Sequence, residues 1–332
     1  MQTDEAENRI LFDITDHIRL TFGIEVLHAE ANPLGFANLK WKLDTNEGPL
    51  FLKQYSHTRY SDELLQGVEQ ALQLQHLLYL QHIPCPTLLD REGAFIQRTV
   101  TGERYVLSSY VDGDMIVPGA ATSGQMYELG AAVGHMHKLL KAHAPGGHPL
   151  HWSPHTKANT LQAWERNWKE ALAYDDKAAA AKYIQALPKQ RELLESFDCR
   201  NLEACEIGWA HWDLFADNLF FSGDRLAAIL DFDRMNVVFT EFDLSRPLLS
   251  GTIGEAGMNI QAAKAYVAGF SEHMPICKDI LLRAIHLTWW KEASWLSVRS
   301  IPFHTLSRFA DELVWIGDHW HELDDICGEL AK

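Results

Sequence analysis

The chain has few cysteines and few basic residues, and these scarcities limit the kinds of protein it can be. Its 332 residues include five cysteines, an odd and scattered set without a Cys-x-x-Cys pair. A disulfide scaffold or zinc ribbon is therefore not expected, and the cytoplasm is the expected location. Lys and Arg number 29 against 45 Asp and Glu, a formal net charge of −16. Because affinity for phosphate backbones depends on clustered Lys and Arg, no nucleic-acid partner is expected.

Long apolar runs and two common motifs are also missing. No stretch approaches the roughly 18 uninterrupted apolar residues of a membrane span. The N-terminal MQTDEAENRI lacks the basic and apolar regions of a secretory signal. There is no Walker A lysine motif to cradle phosphates. Hydrophobic residues nevertheless make up 47% of the chain, so it can bury a substantial core. At roughly 150 residues per domain, its length favours about two domains, or one domain with a large insertion.

Local patterns predict a β-rich first third and a mainly helical remainder. Apolar residues at helical spacing predict helices over residues 8–22, 61–81 and 125–140. Strands are predicted over residues 38–43 and 49–55, joined by the turn TNEG, and shorter ones over 94–97, 105–111 and parts of 207–234. The sequence DGD predicts a turn near residue 113. The pattern as a whole indicates the α+β class.

The residues with the clearest chemical meaning lie between 211 and 233. The segment HWDLFADN places Asp213 five residues before Asn218, and the apolar run LAAIL ends at Asp231 in LDFD. Carboxylate and amide oxygens are the ligands that Mg²⁺ prefers, usually together with water and substrate phosphates. Asp213 could then accept the proton of an attacking hydroxyl.

The pair HWDLFADN and ILDFD resembles the catalytic core of the aminoglycoside phosphotransferase and choline kinase family. That wider group includes homoserine kinase of the second type, spore-coat kinase-like proteins and a bacterial stress-response kinase. The resemblance implies a bilobal protein-kinase-like fold, with a small β-rich N-lobe and a larger, mostly helical C-lobe. The implied domains are a nucleotide-binding lobe at residues 1–110 and a catalytic and substrate-binding lobe at residues 111–332.

The resemblance also implies roles for the residues that match the catalytic core. Asp213 would be the catalytic base, and Asn218 and Asp231 would hold Mg²⁺. Asp233 would either join the metal ligands or support them. His211 would belong to the catalytic loop and organise it through hydrogen bonds rather than act as a base. Asp243 resembles the buried family aspartate that anchors this loop.

On the nucleotide side, the resemblance points to residues in the first third of the chain. Lys53 would pair with the α- and β-phosphates, and Glu69 on the following helix would orient it, with Glu63 as the competing choice. The segment 34–38 resembles the family's nucleotide loop, in which Gly35 would let the backbone approach phosphate and Asn38 would lead into a strand. Residues 109–111 resemble the hinge, so the backbones of Ser109 and Val111 would meet the purine edge.

Two features depart from the family pattern or leave its use open. Trp212 stands where this family most often has glycine, which predicts that the loop's backbone or its neighbours differ locally. Trp289, Trp290 and Trp295 lie on a late predicted helix, where they could form a cage for a quaternary amine or simply pack in the core or a groove.

These residues predict an ATP- and Mg²⁺-dependent phosphotransferase. The expected partners are a nucleoside triphosphate and a hydroxyl-bearing small molecule such as an aminoglycoside, an amino alcohol or another antibiotic. Between residues 206 and 243 there are eight acidic residues and two arginines, so a triphosphate would need accompanying cations there. The alternatives are a weak or inactive kinase-like nucleotide-binding scaffold, a Ser/Thr protein kinase of the same family and a metal-dependent hydrolase.

Overall fold

The computed structural model describes residues 2–32, 38–302 and 304–332 of the chain. By the density of contacts it divides into two compact units. Unit one consists of Met1–Gly113 together with Ala227–Met235, and unit two consists of Asp114–Leu226 together with Asn236–Lys332. Within the described part of the chain, every helix is too short or too polar to cross a lipid bilayer.

Unit one is built on an antiparallel sheet with a helix on each face. Its elements are helix α1 (Gln2–Phe22), strands β1 (Val26–Ala31), β2 (Lys40–Thr45) and β3 (Gly48–Gln54), helix α2 (Asp62–Leu80), and strands β4 (Gln97–Arg98) and β5 (Arg104–Ser109). The five strands lie in the order β1-β2-β3-β5-β4. The predicted helix at 61–81 and the predicted hairpin are therefore confirmed to within a few residues. The predicted helix at 8–22 is also present, but it begins at Gln2, six residues earlier than predicted. Strand β1 was not predicted from the sequence.

Alternation along the strands decides which helix each side chain meets. Leu52 of β3 belongs to a buried cluster that includes Ile14 and Ile18 of α1. Val106 of β5 lies in a second cluster, together with Val68 and other residues of α2. Lys53 is adjacent in register to Val106, so strand alternation turns its side chain to the α2 face.

Unit two is mainly helical, with short strands between the helices. Its elements, in chain order, are β6 (Asp114–Met115), α3 (Ser123–His143), α4 (Lys157–Ala173), α5 (Lys177–Ser196), β7 (Ile207–Ala210), β8 (Leu219–Ser222), β9 (Arg225–Ile229, which ends in unit one), β10 (Asn236–Phe239), α6 (Glu241–Thr252), β11 (Ile253–Gly254), β12 (Gly257–Met258), α7 (Ile260–Ser271), α8 (Lys278–Glu292), α9 (His304–Asp318) and α10 (Leu323–Leu330). The sheet of unit one and these helices confirm the predicted α+β class.

Helix α3 illustrates how the sequence sets an element's limits. Thr122 and Gln125 form a reciprocal capping box at its start, which satisfies backbone N–H groups that have no partner inside the helix. Leu129, Val133, Met136 and Leu140 are buried along one face, as their +4, +3, +4 spacing predicts. The face carrying Gly130 and Gly134 lies directly against α7.

Candidate functional site

Lys53 is held between two aspartates in unit one. Its Nζ lies 2.7 Å from Asp231 Oδ1 and 2.7 Å from Asp233 Oδ2. Only 8% of the Lys53 side chain is exposed, so both ion pairs are largely shielded from water. Burial opposes the charge on Lys53 and is the largest single influence, yet the two carboxylates hold its pKa above the ordinary value. The structure thus joins Lys53 to two predicted site residues that lie far from it in the sequence.

The two aspartates are presented by a tight turn that follows β9. Residues Phe232–Arg234 form one turn of 3₁₀-helix, and Asp231 precedes it with φ of 60° and ψ of 64°. A non-glycine residue in this left-handed region is uncommon and often marks a functional site. The Tyr55 hydroxyl donates a 2.9 Å hydrogen bond to Asp233 Oδ1, which fixes the deeper carboxylate.

The charges at this turn suit a divalent cation. Two carboxylates face one ammonium group, so one negative charge remains when both are ionised. Burial, together with the nearby charge of Asp231, raises the pKa of Asp233, and Lys53 opposes this rise. Asp231 is the more accessible of the pair, with 29% of its side chain exposed against 9% for Asp233. The donor set therefore fits Mg²⁺, whose preferred ligands are oxygens.

Glu69 is engaged away from Lys53. Its two carboxylate oxygens accept hydrogen bonds from the backbone N–H groups of Phe95, at 2.9 Å, and Ile96, at 2.8 Å. Among the described residues, the ion pairs of Lys53 are with the aspartates and not with Glu69 or Glu63. In this structure Glu69 connects α2 to the segment before β4 by hydrogen bonds. The family resemblance instead implies a contact in which Glu69 orients Lys53.

The other predicted nucleotide residues lie around the sheet. Gly35 lies outside the described residues. Asn38 precedes β2, and its Nδ2 donates a 3.3 Å bond to the Tyr60 hydroxyl. Ser109 ends β5, where its backbone N–H donates to the Thr87 carbonyl oxygen at 2.8 Å. Val111 follows β5 and is half-buried.

The second group of predicted residues forms a loop in unit two that is held by hydrogen bonds. Asp243, fully buried on α6, accepts hydrogen bonds from the backbone N–H groups of His211, at 2.6 Å, and Trp212, at 2.8 Å. His137 of α3 lies 3.2 Å from the same carboxylate through its Nε2. The anchoring role implied for Asp243 is confirmed, because its side chain fixes the backbone on which Asp213 stands.

Hydrogen bonds within this loop orient the Asp213 carboxylate. Asn218 Nδ2 donates to the Asp213 carbonyl oxygen at 2.8 Å and lies 3.2 Å from its Oδ2. The Asp213 backbone N–H donates to His211 Nδ1 at 3.3 Å, so Nδ1 is the acceptor in this contact. His211 is fully buried. The ring therefore makes a contact within the loop; the organising role of His211 stays a prediction.

Trp212 adopts the backbone conformation that glycine favours. Its φ is 65°, so the loop keeps a left-handed residue at this position in spite of the large side chain. The indole packs 4.7 Å from the Phe242 ring and 5.4 Å from the Trp152 ring, between centroids. Lys291 Nζ lies 4.7 Å from the Trp212 ring centroid and 3.9 Å from that of Phe242. Aromatic rings and the Lys291 ammonium group thus surround the Trp212 indole.

Two of the three late tryptophans are buried in the interior of unit two. Trp289 is completely buried and Trp290 is 1% exposed, and Trp290 Nε1 donates to the His155 carbonyl oxygen at 3.0 Å. Trp295 packs against Phe215 and Phe309. Trp289 and Trp290 thus pack in the core, whereas Trp295 is half-buried and contacts neighbouring aromatic rings.

Sequence and structure comparisons place this chain among phosphotransferases. The model of the phosphotransferase enzyme family matches residues 28–276, and the chain belongs to that family. A homoserine kinase of Sinorhizobium fredii (strain NBRC 101917 / NGR234) is 28% identical over 71% of this chain and 67% of its own length. The predicted family and enzyme class, a phosphotransferase with an alcohol group as acceptor, are confirmed.

Two solved structures share the fold. A spectinomycin phosphotransferase in complex with ADP and spectinomycin has a TM-score of 0.58 and 14% identity, covering 95% of this chain and 96% of that one. A microcompartment-associated aminopropanol kinase has a TM-score of 0.58 and 14% identity, covering 90% of this chain and 94% of that one. These likenesses support the kinase-like fold that the sequence predicted.

Proposed function

We propose that this protein transfers the γ-phosphoryl group of ATP, with Mg²⁺, to a hydroxyl of a small amino-bearing molecule. The main observation behind the proposal is that hydrogen bonds hold both the backbone and the carboxylate of Asp213 in place. Its loop is held by Asp243, and its carboxylate is oriented by Asn218. A carboxylate held in this way can accept the proton of an attacking hydroxyl and align its oxygen with the phosphorus atom.

Lys53, Asp231 and Asp233 are the groups that we propose for the nucleotide. Lys53 would pair with phosphate oxygens, and the two aspartates would hold the metal, with Asn218 as the amide ligand. Bound Mg²⁺ would neutralise the charge on the phosphates. Since this chemistry demands little covalent work of the protein, positioning and electrostatics would account for most of the rate.

The choice of an amino-bearing acceptor rests on the relatives and the charge. The curated relatives include homoserine kinases from several bacteria, and a structural neighbour is an aminopropanol kinase. The net charge of −16 favours cationic over anionic small molecules. Homoserine, aminopropanol, choline and spectinomycin therefore make a suitable first panel.

The test is ATP consumption with each acceptor, using Asp213→Asn as the variant without a base. We expect one acceptor to stimulate turnover and Asp213→Asn to lower kcat about 10²- to 10⁴-fold, the usual contribution of a general base. Asp217→Asn is the matched control in the same loop, because Asp217 is half-exposed and pairs with Arg308 at 3.0 Å. It should retain most of the activity.

Two outcomes would argue against the proposal. Turnover that Asp213→Asn leaves undiminished would remove Asp213 from the role of base. Binding of Mg²⁺ and nucleotide without turnover on a broad panel would favour a nucleotide-binding scaffold.

A further inference from the structure

Unit two contains a cavity of about 390 Å³ whose wall includes none of the predicted site residues. It is half open to solvent and is lined by the end of α3, residues 144–148, strand β7, the start of α6 and residues 274–280. This volume falls in the range of roughly 300–1,000 Å³ that is typical of small-molecule sites.

Most of the wall is apolar. Leu140, Leu244, Phe270, Ile276 and Ile280 line the cavity, and of these Leu140, Leu244 and Phe270 are buried in the core of unit two. Such a lining favours a ligand that exchanges water contact for contact with aliphatic and aromatic carbon.

The charged side chains on the wall are already neutralised by partners. Lys141 Nζ lies 2.7 Å from Glu206 Oε1. Glu241 accepts bonds from the Arg283 guanidinium, at 2.9 Å between Nε and Oε2. The Lys141–Glu206 pair lies at the exposed edge of the cavity, with 62% and 48% of the two side chains exposed. The Glu241 side chain is only 7% exposed, and because Arg283 already balances its charge, the buried part of the wall favours a neutral ligand.

His137 connects the cavity to the 211–218 loop. It lies on the wall, and its Nε2 is 3.2 Å from Asp243 Oδ2, the oxygen that also accepts the His211 backbone N–H at 2.6 Å. A ligand that contacts this ring would stabilise the side chain that supports Asp243, and through it the backbone of His211 and Trp212.

We propose that this cavity is a binding site for a neutral, largely apolar small molecule, and that its occupation stabilises the 211–218 loop through His137 and Asp243. The proposal does not depend on phosphotransfer. It concerns binding and backbone protection, both of which can be measured without turnover.

The test uses N-phenyl-1-naphthylamine, a neutral dye that fluoresces in apolar surroundings, with the full-length protein. We expect saturable binding, weakened about tenfold or more when the cavity is filled by Ile280→Trp or, from another part of the wall, by Ala144→Trp. Leu172→Trp adds the same indole on exposed α4 and should leave dye binding unchanged. Two cavity-filling variants are used so that dye affinity can still be measured in one of them if the other does not fold.

A second measurement tests the connection to the loop. With dye bound, hydrogen exchange at the His211 and Trp212 amides should slow about fivefold, the lower end of usual coupling between sites, in wild type and Leu172→Trp. Absence of saturable binding, unchanged affinity in folded filling variants, or unchanged exchange in the dye-saturated protein would each overturn the proposal.

Discussion

At the scale of single residues, two residues of the candidate site have a left-handed backbone conformation that most side chains avoid. Trp212 has φ of 65° and Asp231 has φ of 60°. A left-handed conformation costs a residue with a Cβ roughly 1–2 kcal/mol, so the surrounding contacts must compensate. For Trp212 these contacts are the Asp243 carboxylate on its N–H and the aromatic rings around its indole.

Replacing Trp212 by glycine and by alanine separates backbone strain from packing. Both variants lose the buried indole and should be destabilised by about 3 kcal/mol or more. The glycine variant should be the more stable of the two by about 1 kcal/mol, because only alanine carries a Cβ in the left-handed region. Urea unfolding of the two proteins measures this difference.

Trp209 provides the matched control for that comparison. It is a buried tryptophan on strand β7, where glycine should be less stable than alanine by about 0.5–1 kcal/mol. The same order of stability at both positions would contradict the interpretation of Trp212 as strained.

His286 should make the fold sensitive to mild acid. Burial lowers the pKa of His286 from 6.5 to about 4, and the ring stacks on Trp320 at 4.5 Å between centroids. An unfolded chain therefore binds a proton at pH 5 that the folded chain excludes, so this stability is present above about pH 6.5 and is lost as pH falls toward 4. We expect a loss of about 1–2 kcal/mol between pH 8 and pH 5.

Chemical denaturation at these two pH values measures the effect. His286→Gln should reduce the difference in unfolding free energy between pH 8 and pH 5 by about 1–2 kcal/mol. His143→Gln changes an exposed residue at the end of α3 and should leave this difference unchanged. An unchanged pH dependence in His286→Gln would show that other groups cause the acid sensitivity.

The sequence predicted site residues by type but not all of their contacts. Lys53 and the aspartates of the LDFD segment were identified by the family pattern, yet the ion pair between Lys53 and Asp231 joins residues 178 positions apart. Glu69 was selected by its place on α2, but its carboxylate satisfies the backbone N–H groups of Phe95 and Ile96. Such partners are decided by tertiary packing, and spacing along one helix carries no information about them.

At the scale of elements, the close contact of α3 and α7 depends on glycine. A Cβ at Gly134 would lie 2.6 Å from the Phe270 carbonyl oxygen, and one at Gly130 would overlap the Tyr266 carbonyl oxygen. Gly134→Ala should therefore destabilise the protein by about 1–3 kcal/mol through overpacking. Thermal or urea unfolding measures the change.

Gly67 on α2 is the control for this helix contact. A Cβ there would meet no atom within 4 Å, so Gly67→Ala should stabilise the protein by about 0.5–1 kcal/mol through helix propensity. Equal effects of the two substitutions on the free energy of unfolding would contradict the conclusion that Gly134 is needed for the close approach of the α3 and α7 backbones.

Elements with one buried face were predictable, and those without one were not. Helix α1 was predicted because Ile14 and Ile18 share a buried face. Strand β1 was missed because its residues alternate poorly and are half-buried or exposed. It is recognisable as a strand only through its antiparallel pairing with β2, which the local sequence does not encode.

At the scale of the whole molecule, the net charge of −16 bears on how the protein meets a triphosphate. If the acidic groups repel phosphate and Mg²⁺ offsets that repulsion, nucleotide and metal must bind together. A non-hydrolysable ATP analogue at 100 times its Kd should then stabilise the protein by about 2.7 kcal/mol when Mg²⁺ is present. The same analogue with EDTA should give little shift in Tm.

Asp231→Asn tests whether this stabilisation depends on the aspartate that precedes the turn at Phe232–Arg234. Asparagine tolerates the left-handed conformation of position 231, and Asp233 would remain to pair with Lys53, so the ligand-free protein should stay folded. We expect the variant to lose most of the Mg²⁺-dependent shift. Asp16→Asn, a half-exposed carboxylate that pairs with Arg19 on α1, should retain it. Two outcomes would show that Asp231 does not hold the metal. One is a full nucleotide-induced shift in Tm in Asp231→Asn, and the other is an equal shift in the wild type with EDTA. In either case nucleotide binding would proceed without the contact between aspartate and metal.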